Sequence, residues 1–388
     1  MSCLDHIVTK SKSLLYKDSL LGILLISLTI LVMIVANIPF SSSYYFNYLN
    51  LKIADLTLKH WVNDILMVSY FFMIGLDIKH ELINGELSSW KKRSLPALGA
   101  IGGIIFPALI YLFINRHTEF TLRGWAIPTA TDIAFTLGML SLMGPRFPPS
   151  LKIFFTALTI IDDFSAVAII AFFYTQHLHL YALIIATTLI FLLFALNRFR
   201  VTHLFLYGFF GLCLWYAILI SGIHTTVFGV IFALLLPDTK TYATHTNKMS
   251  FYFLGDGLKL WVNYLILPAF VLVNAGFSLS MIPYIDLCDS IVWGTTLGLF
   301  LGKQIGIFLF SFIAIKFGWG ILPKNSSWRL LYGGSILCGI GFTMSMFLTL
   351  QAFPNSSDLQ EKAKLGIILA SIMSGILAYF ILKPSQNK

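Results

Sequence analysis

Asp162 and Asp163 stand side by side in the run IFFTALTIIDDFSAVAIIAFFYT at 153–175, which is otherwise almost wholly apolar. At about 1.5 Å of helical rise per residue this run crosses a hydrocarbon core of about 30 Å, with the acidic pair near its middle. An ionised side chain facing lipid there costs roughly 2.5 to 3.5 kcal/mol. Asp132 and Lys303 are equally central in other runs, Asp64 lies nearer an end, and Asp77 and Glu81 sit close to the end of the same run as Asp64. Such groups must face inward and be paired, hydrated or protonated.

Neighbouring helical residues point about 100° apart, so the two carboxylates reach toward different partners. One of them can meet Asp132 and the other Lys303. A carboxylate beside a lysine is held ionised, whereas carboxylates sharing a confined site have at least one proton held more tightly. Such a site takes a proton or a hard cation, and the Thr131 hydroxyl with unwound backbone carbonyls would add oxygen ligands. Proton and cation cannot occupy the same lone pairs. Competition between them gives exchange when the site faces alternate sides of a membrane. One buried Asp reads as a structural anchor; two adjacent ones with a third and a Lys read as a site.

The elements that must position these groups are apolar runs separated by short polar breaks. Twelve spans are predicted, at 19–37, 60–83, 95–115, 122–143, 151–175, 179–197, 203–219, 223–236, 257–275, 290–315, 328–350 and 363–382. With 57% hydrophobic and 11% charged residues and a mean hydropathy of +0.84, the chain is a polytopic all-α membrane protein, read as one transport domain over 1–388. The net charge of +9 does not point to nucleic acid, because basic residues cluster at the ends of apolar runs. Seventeen Lys and Arg in the connections fall on the side of the N-terminus, among them Lys91, Lys92 and Arg93, against Lys52, Lys59, Arg116, Arg123, Lys362 and Lys364 on the other. Both termini are therefore expected to be cytoplasmic. In the outer connection at 38–58, Asn47 and the alternation after it suggest a short β-hairpin, whose edge could pair with a second copy. The stretch 238–250 reads as an inner polar loop.

The fourth and eleventh spans are interrupted at matching places, by Pro128-Thr129-Ala130-Thr131-Asp132 and by Cys338-Gly339-Ile340-Gly341-Phe342-Thr343. Spans three to five and ten to twelve run in opposite senses, which invites an inverted repeat. Gly99, Gly102 and Gly103 in span three and Gly298, Gly302 and Gly306 in span ten would let helices approach closely. Broken helices bring partly positive N-termini and partly negative C-termini into the membrane. Asp132 is placed to neutralise the former and Lys303 the latter.

The segments WAIPTATDIAFTLGMLSLMG at 125–144, KIFFTALTIIDDFSAVAII at 152–170, LFLGKQIG at 299–306 and LCGIGFTMSMF at 337–347 closely resemble the NhaA-type sodium/proton antiporters of bacteria. Shorter matches at 61–67, 75–82, 221–230 and 264–279 extend the resemblance over most of the chain. It implies an inner-membrane fold of twelve helices with two crossing interrupted helices, and electrogenic exchange of cytoplasmic Na+ or Li+ for external H+, in the service of pH and sodium homeostasis. It implies no cofactor, and a homodimer held partly by the outer hairpin. By the same resemblance Asp163 is the cation and proton carrier with Asp162 beside it, Asp132 and Thr131 join from the interrupted helix, and Lys303 is the partner of Asp162 or itself a proton carrier. His224 matches a position linked to pH response. Asp77 stands where the family commonly has Glu, with Glu81 following. Gly255, Asp256 and Lys259-Leu260 replace a Glu-His pair and a His-Pro, so the family's pH profile does not carry over. A cation-coupled small-solute carrier and an intramembrane aspartyl protease are the alternatives. No cluster suited to an organic substrate favours the first, and a protease dyad takes its carboxylates from different helices.

Overall fold

A computed structural model describes residues 18–383 apart from 54, 86, 143–146, 176–177, 200, 202, 238–256 and 279–287. Long apolar helices dominate, because in hydrocarbon every backbone amide must find its partner within the segment. Among the described residues eight helices are long and apolar enough to span a membrane, and a bent pair makes a ninth. Two shorter apolar helices and one split segment occupy the remaining predicted spans.

The chain divides into two compact units that interleave along the sequence. The first comprises residues to Tyr48, Asn84–Asp163 and from Val271 onward. It contains α1 (Asp18–Asn37), α2 (Pro39–Leu49, apart from its last residue), α4 (Trp90–Ile114), α5 (Ile133–Leu142), the first part of α6 (Pro149–Phe173), α11 (Ser290–Lys316), α12 (Trp328–Leu337), α13 (Phe342–Ala352) and α14 (Ser357–Leu382). The second contains the hairpin β1 (Lys52–Ile53) and β2 (Leu56–Thr57), α3 (Leu58–Ile83), α7 (Leu180–Arg198), α8 (Leu204–Ser221), α9 (Thr225–Leu235) and most of α10 (Gly257–Asn274).

In the first unit, α4 packs along α11 with no room for side chains at the crossing. A Cβ on Gly102 would lie 2.2 Å from the Gly306 carbonyl oxygen, and one on Gly306 would lie 2.1 Å from that of Gly102. The contact is reciprocal, as a two-fold relation between the segments 95–115 and 290–315 would make it. In the second unit, Ala186, Leu193, Tyr207, Leu214 and Ile218 form the core between α7 and α8. Lys79 of α3 donates to the carbonyls of Leu234, at 2.8 Å, and Leu236, and Asn197 donates to Leu235 and Leu236. These bonds satisfy carbonyls left open where α9 ends.

The outer connection carries a short hairpin after Asn47, as expected: Lys52–Ile53 pairs with Leu56–Thr57 around Asp55 at φ 65°. Ahead of it, 39–49 is a helix in which the exposed Phe40, Tyr44 and Tyr48 recur every four residues. Pro39, lacking an N–H, ends α1 and opens α2. The last helix begins at Ser357 rather than 363, because Lys362 bridges Asp289 and Asp358, each at 3.1 Å, and so its charge is met within the helical first turns. The loop at 238–250 lies outside the described residues.

Candidate functional site

Two interrupted helices cross in the first unit. Residues Arg123–Thr129 form a 3-10 turn, Ala130 is extended (φ −89°, ψ 148°), and α5 begins at Ile133. The second break, at 338–341, bends α12 by 45° from α13. The strands of unwound backbone are tied directly, the Asp132 N–H donating to the Ile340 carbonyl at 2.8 Å.

Asp132 caps both half-helices. Its Oδ1 accepts from the Phe135 N–H at 3.1 Å, while Oδ2 accepts from the Thr343 N–H at 2.9 Å and from the Thr343 hydroxyl. One carboxylate thus faces the positive ends of α5 and α13 together, as expected. The opposing carbonyl ends are met differently. Thr131 Oγ1 donates to the Cys338 carbonyl at 3.0 Å and Thr136 Oγ1 to that of Leu337 at 3.3 Å, so two threonines approach the C-terminal end of α12 where a lysine was expected.

Lys303 instead points at Asp162. Its Nζ lies 2.6 Å from Asp162 Oδ2, and both side chains are completely buried. The lysine follows a π-helical turn, Gly298–Gly302, that lies against two prolines: a Cβ on Gly298 would sit 2.7 Å from Pro128 Cβ, and one on Gly302 2.6 Å from Pro107 Cα. Asp162 Oδ2 also accepts from Thr131 Oγ1 at 2.9 Å, while its Oδ1 has no hydrogen-bond partner among the described residues. Asp163 is fully buried one position further along α6.

The structure therefore joins Thr131, Asp162 and Lys303 in one cluster, and places Asp132 with Thr343 in the helix caps. Among the described residues no three Asp, Glu, His or Cys side chains converge on one metal position. Asp162 turns to Lys303, and Asp132 to backbone amides and the Thr343 hydroxyl. Two residues were missed from the sequence. Thr343 supplies two of the three hydrogen bonds on Asp132, and Ser345, fully buried beside Gly341, has a hydroxyl with no partner among the described residues. Threonine and serine are ordinary in membrane helices, so their types alone gave no signal.

Residues 12–382 match the family model described as Na+/H+ antiporter 1. The chain belongs to this antiporter family. It is 44% identical over 376 residues to the Na+/H+ antiporter NhaA of Nitrobacter hamburgensis, covering 97% of this chain and 91% of the relative. It is 45% identical to the NhaA of a Sulfurovum species, covering 97% and 98%, and 45% identical to NhaA 1 of Pseudomonas savastanoi, covering 96% and 95%. The antiporter is thus a multi-pass bacterial membrane protein and a secondary transporter, not an enzyme.

The second unit of the antiporter holds the remaining sequence candidates. Asp77 Oδ1 accepts an ion pair from Lys259 Nζ at 2.7 Å, with Glu81 one turn further along α3. His224 caps the start of α9, its Nδ1 2.9 Å from Thr226 Oγ1 and its Nε2 3.7 Å from Asp64 Oδ1. Asp256 lies outside the described residues.

Proposed function

We propose that this protein exchanges cytoplasmic Na+ or Li+ for external H+ across the bacterial inner membrane, with more protons entering than cations leaving, and that Asp163 and Asp162 carry the exchange. The observation that carries the reading is a buried acidic pair on α6, one member of which is bonded to Lys303 at 2.6 Å, set against the crossing of two broken helices. Lys303 charge-matches Asp162, leaving its Oδ1 open to a ligand. Asp163 is the residue whose proton and cation alternate. Thr131, Asp132 and the hydroxyl of Ser345 supply oxygen near the path, and Lys303 is either a fixed partner or a second proton carrier. The dyad of an aspartyl protease is disfavoured, since an Asp bonded to Lys303 cannot share a proton with its neighbour.

By the positive-inside count both termini are cytoplasmic, which puts Asp77, Glu81 and Asp256 at the inner face as pH-response candidates and His224 at the outer end of α9. The functional unit is a homodimer in membrane lipid, with the short hairpin at Lys52–Thr57 as part of the contact. Everted vesicles test the exchange. Adding sodium to vesicles holding a preformed proton gradient should collapse it with the wild-type protein and leave it standing with Asp163→Asn, provided the mutant inserts and melts normally. Full collapse with the mutant would refute the assignment of Asp163.

A further inference from the structure

An apolar cavity of about 950 Å³ opens along the first unit, away from the acidic cluster, between α1 and α14. Its walls are Ile30 and Ile34 on one side and Ile372 and Ile376 on the other, all more than half exposed. The hydroxyls on the walls are turned away. Thr29 donates to the Leu25 carbonyl and Ser371 to that of Ile367, each at 2.7 Å, so the surface presented is hydrocarbon.

Both wall helices are long and apolar enough to span a membrane, so the groove between them runs along segments of hydrocarbon depth. From Ile368 to Phe380 the helical rise is about 18 Å, against about 15 Å for half of a hydrocarbon core. That length matches one leaflet. At one end stand Tyr379 and Phe380, and there the chain supplies charge: Lys383 Nζ lies 5.9 Å from the Tyr379 ring centroid. The exposed Arg329 is bound to the same helix end through the Ile381 carbonyl at 2.8 Å and the Lys383 carbonyl at 3.0 Å. An apolar slot one leaflet long with cations at its end complements one kind of molecule found at that depth.

We propose that this groove holds an acyl chain of an anionic phospholipid, with Lys383 meeting the phosphate and Arg329 adding positive charge behind it. Assigning it to the cytoplasmic leaflet rests on the orientation proposed above; the binding itself does not. The floor of the groove is the back of the helix crossing. Ile340, whose carbonyl accepts the Asp132 N–H, and the contacting rings of Phe135 and Phe342, 4.6 Å apart, all line it. A seated chain packs directly on the residues that flank Asp132 and Thr343.

Gly375 gives a clean way to fill the slot, because an added Cβ there meets nothing nearer than Met139 Cε at 4.0 Å. Purified protein would be incubated with phosphatidylglycerol or phosphatidylcholine and the retained lipid counted by native mass spectrometry, a readout independent of transport. Wild type should retain phosphatidylglycerol in preference. Lys383→Gln should weaken that retention about fivefold, the factor expected for one lysine at an anionic surface. Gly375→Phe should abolish the preference while melting at the wild-type temperature, and Gly375→Val serves if the larger ring prevents folding. Equal retention of the two lipids, a preference untouched by filling the groove, or equal protection by inorganic phosphate alone would each overturn the proposal.

Discussion

Asp132 shows how much one side chain can organise at membrane depth. A break in a spanning helix leaves amide donors without partners, and in hydrocarbon each open group costs several kcal/mol. A single carboxylate accepting from Phe135 and Thr343 closes two such ends at once. Thr343→Val removes the hydroxyl donor while keeping its N–H, and should lower stability by about 1 to 2 kcal/mol, read as a lower melting temperature in detergent. Lys303→Ala is expected to be harsher, about 3 kcal/mol or more, because Asp162 would be left as an uncompensated buried charge. An unchanged melting temperature would argue against the ion pair. At this scale the charged residues were legible, since an Asp or Lys inside an apolar run is conspicuous on energetic grounds. Their pairing was legible only in part. The 100° between Asp162 and Asp163 sends one of them to Lys303, as Asp162 shows, but it does not reveal that Thr131 joins Asp162 or that Thr343 caps Asp132.

Helices are positioned here by what their side chains omit. The mutual approach of Gly102 and Gly306 sets α4 on α11, and the glycine-bounded π turn before Lys303 fits that helix against Pro107 and Pro128. Gly306→Ala puts a methyl carbon 2.1 Å from a carbonyl oxygen, so the helices must separate. A loss of about 1 to 3 kcal/mol is expected, with Lys303 drawn from its place and exchange impaired. Wild-type melting and activity in this variant would show that the crossing is looser than described. Nearly every helix was legible from length and hydropathy, as was each break from its Pro or Gly. The alternation after Asn47 made the short hairpin at Lys52–Thr57 legible, whereas the helix over Pro39–Leu49 ahead of it, marked by the four-residue recurrence of Phe40, Tyr44 and Tyr48, was not read. The early start of α14 escaped a hydropathy window that penalises Lys362, whose charge is met by Asp289 and Asp358.

On the scale of the whole molecule, the chain passes between its two compact units four times, at residues 48, 83, 163 and 270. No linker marks these passages and both units are made of apolar helices, so composition reads as one domain. Three of the passages fall inside helices, in α2, α6 and α10, and the one in α6 lies directly after Asp163. The central claim is that Asp163 alternates between a proton and a sodium ion. Competition for one site makes the apparent affinity for sodium fall with acidity by mass action. The direct measurement is the KM for sodium at several pH values in proteoliposomes, read from charge movement on a supported membrane. The account predicts that KM rises by about tenfold for each unit of acidification below the carrier's own pKa, while the maximal rate stays constant. A KM that stays fixed across that range, with only the maximal rate changing, would contradict it.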